Sequence, residues 1–376
     1  MRKEKMECVA KKLEDVFSKE ELHHLMWKKP SFAQIELTRN CNQSCIFCFA
    51  NCKAGVKEKD SSLEKWKQTV DKLEKLGVSK IHYTGGENFL YPYFTEILQY
   101  TKEKGFCVQV NTNGTIAIDK TLPFVDEYVF SVHGLGEVHN AIVKKENAFA
   151  LVEKNIKKAA EAKKIIHINM VLVKSNFDHF EKVYEYFASR YSIKSFSPTF
   201  AVISNNGTHF EEERIPIHRK NIEKYFEGLK KIGKENLTLK HGLYALFEYD
   251  PSLIERKYPI ELPICAAGKD KLIIKYDGSV YPCNFFLNKD YYCGNIFTED
   301  EQEIWQKGKG FVPFREMILE EKIPEKCKAC QNKRCFSGCR VWTKNYIEGG
   351  KKIDYERDIR CEIAHAFVGN GDYKSM

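Results

Sequence analysis

Three cysteines lie within eight positions of one another in Cys41-Asn-Gln-Ser-Cys45-Ile-Phe-Cys48, and further along the chain reads Thr84-Gly85-Gly86-Glu87. Thiolates spaced this way on one loop can bind three irons of a [4Fe–4S] cube. A cube held wholly by protein takes four thiolates, so this loop leaves one iron open to a substrate or cofactor, provided Cys52 does not close it. In the second motif the glycines let the backbone approach a ligand, and Glu87 can accept hydrogen bonds from an ammonium group. A longer series of cysteines occupies the C-terminal third: Cys265, Cys283, Cys293, Cys327, Cys330, Cys335, Cys339 and Cys361.

The opening MRKEKMECVAKKLEDVF has no apolar signal core, and no window holds the roughly 18 apolar residues of a membrane span. A cytoplasmic protein is expected, with no membrane partner. Reducing cytosol works against disulfides, so clustered thiols among the 14 cysteines point to metal. The 60 Lys+Arg and 52 Asp+Glu leave a net charge of +8, but the lysines are spread among glutamates. That pattern reads as a solvated surface rather than a nucleic-acid face. Tetrathiolate zinc uses similar Cys-x-x-Cys pairs, so a zinc ribbon is the rival for the C-terminal cysteines, and an RNA-binding scaffold is the non-catalytic rival.

The elements that must hold these residues follow from periodicity. FAQIELT alternates apolar and polar residues up to Thr38 and reads as a strand that delivers the cysteine loop. Ser61-Ser62-Leu63-Glu64 reads as a capping box, Leu63, Trp66, Val70, Leu73 and Leu76 recur at helical spacing, and Gly77 is a stop. Strands KIHYTG, FCVQVNTNG, EYVFSVHG, IIHINMVLV, KSFSPTF and LTLKHG follow. Helices are expected from Pro92 to Lys104, from Asn147 to Lys163, after Asp178 and near His218 to Ile232. About six such βα units predict an α/β fold, an open TIM-like (β/α)6 barrel with a parallel sheet. The expected organisation is a helical extension over 1–30, the partial barrel over 31–240 and a bridge over 241–262. A cysteine-rich domain with the hairpin KLIIKYDGSVYPC covers 263–365, and a tail covers 366–376.

The CxxxCxxC pattern at Cys41, Cys45 and Cys48, with aromatic Phe47 before its last cysteine and Gly85-Gly86-Glu87 after the next strand, resembles the radical S-adenosylmethionine (SAM) superfamily. The resemblance implies that the three cysteines bind the catalytic [4Fe–4S] cluster and that the open iron chelates the amino and carboxylate groups of SAM. Reductive cleavage then releases a 5′-deoxyadenosyl radical that abstracts a substrate hydrogen. It implies that Gly85, Gly86 and Glu87 bind the SAM amino group and that Ser131 and Asn113, at later strand ends, meet its ribose and adenine. Relatives often place an Arg where Val143 stands here, and Lys144 is the expected substitute.

Cys265, Gly278-Ser-Val-Tyr-Pro-Cys283, Cys327-Lys-Ala-Cys330, Cys335, Cys339 and Cys361 resemble the SPASM extension of radical enzymes that modify peptides and proteins. By that resemblance Cys265, Cys283 and Cys339 serve one auxiliary [4Fe–4S] cluster, with Cys293 as its candidate fourth ligand. Cys327, Cys330, Cys335 and Cys361 serve a second, giving three clusters. The implied activity is modification of a ribosomally made peptide by a thioether or carbon–carbon crosslink or by epimerisation, with flavodoxin or ferredoxin as reductant. The alternative is a small-molecule substrate such as a heme precursor or antibiotic intermediate. Sulfatase-type oxidation is disfavoured, because Asn284 stands where those relatives have an Asp base and an amide takes no proton at neutral pH.

Overall fold

A computed structural model of the chain describes residues 29–202, 211–233, 236–237, 265–316, 324–328, 338–344, 346–348, 351–353 and 361. Residues 1–28 of the expected extension over 1–30, the bridge and the tail lie outside the described residues. The first six strands are β1 (Phe32–Thr38), β2 (Lys80–Gly85), β3 (Cys107–Thr112), β4 (Glu127–Ser131), β5 (Ile165–Leu172) and β6 (Ser195–Phe200). They pair in chain order and all in parallel, as the repeated units predict.

Residues paired across parallel strands share a face, and here the two faces separate by chemistry. One carries Ala33, Ile35, Leu37, Ile81, Tyr83, Val108, Val110, Tyr128, Phe130, Ile166, Ile168, Met170 and Phe196, all buried. Helices cover it. α1 (Leu63–Leu76) contributes Trp66, Val70, Leu73 and Leu76 to the same core, α2 (Phe94–Glu103) contributes Ile97 and Leu98, and the next helices repeat the arrangement. After α3 (Glu137–Val143), which adds no residue to this core, these are α4 (Ala148–Glu161), α5 (Phe180–Ala188) and α6 (Arg219–Ile232). The opposite, inner face is mostly polar, with Val129 and Val171 as apolar members among Gln34, Glu36 and Thr38 on β1, Asn111 on β3, Ser131 on β4, Asn169 on β5, Ser197 and Thr199 on β6. At the strand starts this face is closed by one network, in which Glu127 accepts from Lys80 (2.7 Å), Gln109 (2.5 Å) and the His167 ring (3.2 Å).

The α1 start differs by one residue from the sequence reading. Ser62, not Ser61, is the N-cap and accepts from Lys65 N–H, so Glu64 does not stand where a reciprocal box needs it. The Ser61 hydroxyl instead donates to the Tyr276 carbonyl at 2.9 Å, a contact 215 residues away in sequence. Gly77 ends the helix in the left-handed conformation, φ 84°, as expected.

The C-terminal hairpin joins the barrel sheet. β7 (Lys271–Ile274) adds in parallel to the free side of β1, and β8 (Ser279–Tyr281) and β9 (Gly294–Asn295) continue antiparallel, giving a nine-stranded sheet. Lys275 just beyond β7 forms a buried ion pair with Glu36 of β1, so the two parts share a charged contact inside the protein. Among the described residues no helix is long and apolar enough to cross a membrane.

Candidate active site

The cysteine loop leaves the carboxyl end of β1, the end where parallel barrels place chemistry. It is tethered on several sides. Ser44 N–H and Ile46 N–H donate to the Val143 and Ile142 carbonyls at 3.1 Å each. Those are among the last carbonyls of α3, which have no partner within the helix. The sequence reading named no helix at α3, and its role here is to receive the loop. Arg39 holds the returning chain through Glu58 (2.9 Å) and the Ala50 carbonyl (3.0 Å). Phe47 packs edge-on against His133 at the end of β4, with ring centroids 4.7 Å apart.

Cys41, Cys45 and Cys48 are half-buried on this loop. Burial pushes the Cys41 thiol up to about 11 and raises Cys45 well above its usual range. Cys48 moves the other way, to about 6, because the Cys52 thiol donates to it, and Cys52 N–H also reaches its Sγ at 3.3 Å. Cys52 itself is buried and raised by the same contact. Thiols raised by burial stay protonated until a metal replaces the proton. No group of three or more His, Cys, Asp or Glu among the described residues stands close enough to hold a single metal ion. Three free thiols on one tethered loop are the kind of donor set that an iron–sulfur cube takes.

The Thr84-Gly85-Gly86-Glu87 segment lies beside that loop. Gly86 N–H donates to the Thr38 carbonyl and Glu87 N–H to the Asn40 carbonyl, both at 2.8 Å. The Glu87 side chain has no solvent exposure, and burial raises its carboxyl to about 7. Its oxygens accept from Asn113 N–H (2.7 Å), the Thr112 hydroxyl (2.9 Å) and Phe89 N–H (3.3 Å). A carboxylate offers about four acceptor positions, so about one is left for a ligand. Two buried polar atoms nearby, Gln43 Nε2 and Asn88 Oδ1, have no hydrogen-bond partner among the described residues.

Asn113 stands at the end of β3 with its carboxamide engaged by Asn42 and Thr115. Ser131, the last residue of β4, is half-buried on the polar inner face. Val143 is fully buried, and Lys144 is exposed in the left-handed position that ends α3. Asn42, Asn88, Thr112 and Thr115 were not singled out from sequence. Their signal was adjacency to the motifs, since each lies within two residues of a residue that was.

At the other end of β1 the C-terminal cysteines begin. Tyr281 pairs with Ile273, so two residues further the hairpin brings Cys283 level with Lys271, which in turn pairs with Phe32 at the start of β1. The turn carrying Cys265 folds onto the same place, because Lys271 N–H donates to the Ala266 carbonyl at 3.1 Å. Burial pushes the Cys283 thiol up to about 11 and lowers Lys271, and the Cys283 and Cys265 sulfurs oppose that lowering. Cys293 is buried against Gly310 and the Tyr291 carbonyl, with Arg315 as its charged neighbour. Cys339 and Cys361 are buried and Cys327 half-buried, while Cys330 and Cys335 lie outside the described residues.

Residues 35–187 match the Radical SAM superfamily model, and residues 265–331 match SPASM, an iron–sulfur cluster-binding domain. The chain belongs to the radical SAM superfamily. It is an enzyme of the SPASM subfamily, which uses SAM and [4Fe–4S] clusters. The antilisterial bacteriocin subtilosin biosynthesis protein AlbA of Bacillus subtilis is 26% identical over 349 residues, spanning 89% of this chain and 71% of that one. The AdoMet-dependent heme synthase of Methanosarcina barkeri is 23% identical over 350 residues, spanning 88% and 96%. In fold the chain resembles the crystal structure of Streptococcus suis SuiB bound to S-adenosylmethionine, with a TM-score of 0.69 at 18% identity over 89% of this chain and 78% of SuiB.

Proposed function

We propose that this enzyme modifies a peptide substrate by hydrogen abstraction, forming a crosslink or inverting a stereocentre. The observation that carries the reading is the tethered cysteine loop beside the buried Glu87, above a polar inner face that can take a hydrogen-bonding chain. The likeness to a bacteriocin biosynthesis protein over 89% of the chain supports a peptide. Bound SAM supplies the 5′-deoxyadenosyl radical. In this reading Cys41, Cys45 and Cys48 hold the catalytic cluster, while Gly85, Gly86, Glu87, Asn113, Ser131 and Lys144 bind SAM. Cys265, Cys283 and Cys339, with Cys293 as fourth candidate, hold one auxiliary cluster. Cys327, Cys330, Cys335 and Cys361 hold the other. A flavodoxin or ferredoxin in the cytoplasm delivers the electron.

The heme synthase relative, matched over 96% of its length, favours a small-molecule substrate as the second reading. The test is to reconstitute the protein with iron and sulfide, reduce it and add SAM, then supply short peptides encoded by neighbouring reading frames. Peptide-stimulated 5′-deoxyadenosine, with loss of two hydrogens or solvent deuterium uptake in the peptide, is the expected result. The Cys41→Ala/Cys45→Ala/Cys48→Ala variant should make none. Turnover of a porphyrin precursor with no peptide response would favour the second reading.

A further inference from the structure

The carboxylate of Glu87 reaches the cysteine loop through a continuous chain of hydrogen bonds. It accepts Asn113 N–H at 2.7 Å and the Thr112 hydroxyl at 2.9 Å, which fixes the turn that ends β3. From that turn Asn113 Nδ2 donates to Asn42 Oδ1 at 2.8 Å, and Asn42 Nδ2 donates to the Thr115 hydroxyl oxygen at 2.9 Å. The Thr115 hydroxyl and amide both donate to Asn113 Oδ1, at 2.8 and 3.0 Å, so the amide–hydroxyl ring is closed. Asn42 sits inside the motif, directly after Cys41.

We propose that Glu87 is a positioning residue for the cysteine loop: by fixing the β3 turn it orients Asn113 to hold Asn42, and so sets the thiol spacing before SAM arrives. The proposal rests on Cys41, Cys45 and Cys48 being the ligands of the catalytic cluster. The loop contains no helix or named strand; its backbone is held by the α3 carbonyls, a bridge between Cys41 and Ala54 and the turn from Cys48 N–H to the Cys45 carbonyl, while Asn42 is held through its side chain by Asn113 and Thr115. A carboxylate suits the task, since one group accepts from Phe89, Thr112 and Asn113 together while wholly buried. Side-chain bonds that pre-orient metal ligands commonly change metal retention ten- to a hundredfold when removed.

A residue that served only the SAM ammonium would have no effect when SAM is absent. The experiment therefore uses the reconstituted full-length enzyme without SAM and follows iron release to a ferrous chelator. The release phase missing from the triple cysteine variant identifies the loop cluster. Glu87→Ala, Thr112→Val and Asn42→Ala should each speed that phase by at least about tenfold. Thr112→Ser, which keeps the hydroxyl, should stay near wild type. Auxiliary-cluster iron, released from the other end of β1, reports whether each variant is folded. Should Glu87→Ala lose that iron too, Asn42→Ala decides, since it removes only the loop end of the relay. A wild-type rate in Asn42→Ala, or in a folded Glu87→Ala, overturns the proposal. If the triple variant shows no missing phase, the ligand assignment itself has failed, which is a separate result.

Discussion

Gly86 has no room for a side chain. A Cβ there would come within 2.3 Å of the Asn40 carbonyl oxygen and 2.8 Å of that of Arg39, and at Gly85, φ 146°, within 2.3 Å of the Thr38 oxygen. The sequence suggested that these glycines admit a ligand. What presses on them in the folded chain is the backbone leading into the cysteine loop, which cannot swing away as a side chain could. Gly86→Ala should therefore destabilise the protein by roughly 1–3 kcal/mol or more and shift the loop. Denaturant midpoints and cluster loading would check this, and an unchanged midpoint would mean the loop has slack. The motif spacings were legible from sequence because they are local. The hydrogen bond from Asn113 to Asn42 was not, since it joins residues 71 apart whose shared use appears only once β1 and β3 are placed.

At the scale of elements, alternation made the strands readable. FAQIELT, KIHYTG and IIHINMVLV each set apolar residues on the helix side and polar ones inside. The seven-residue α3 was not readable, since two turns carry too little period to stand out. The Glu36–Lys275 pair ties β1 to the end of β7 and is shielded from water. Lys275→Met leaves the Glu36 charge buried without its cation and should cost about 3–5 kcal/mol. Adding Glu36→Gln should recover much of it, and a single variant as stable as wild type would show the pair to be solvated. The network at the strand starts has a pH signature. The hydrogen bond from His167, with Lys80 beside it, holds the Glu127 carboxyl down to about 2 from 4.5. A depressed carboxyl stabilises the fold above its ordinary value and loses that contribution as pH falls from about 4.5 through 2. Glu127→Gln should flatten the acid limb of the stability curve across that window. An identical limb in both proteins would place the acid sensitivity elsewhere.

For the whole molecule, the order of six parallel strands followed from the repeated pattern, but the docking of β7 onto β1 did not. Nothing local in KLIIKYDGSVYPC states which strand it will join. That docking puts Cys265 and Cys283 beside Lys271, whose positive charge stabilises whichever cluster state is more negative. With the proposed auxiliary cluster on Cys265 and Cys283, Lys271→Met should move its reduction potential to more negative values. A redox titration followed by electron paramagnetic resonance would measure it, and a potential equal to wild type would separate the lysine from the cluster.

Because the cysteine loop leaves one end of β1 while Cys265 and Cys283 lie level with the other, this strand works as a ruler. From Phe32 to Thr38 it measures roughly 20 Å at about 3.3 Å per residue. The ruler has coarse gradations. Inserting one residue would lengthen it by about 3.3 Å but also turn Gln34, Glu36 and Thr38 into the helix layer, destroying both faces at once. Only steps of two, about 7 Å, keep the pattern, and each is large beside the size of a side chain. Adaptation to substrates of different bulk is therefore confined to the loops and strand ends, while the length of β1 stays fixed.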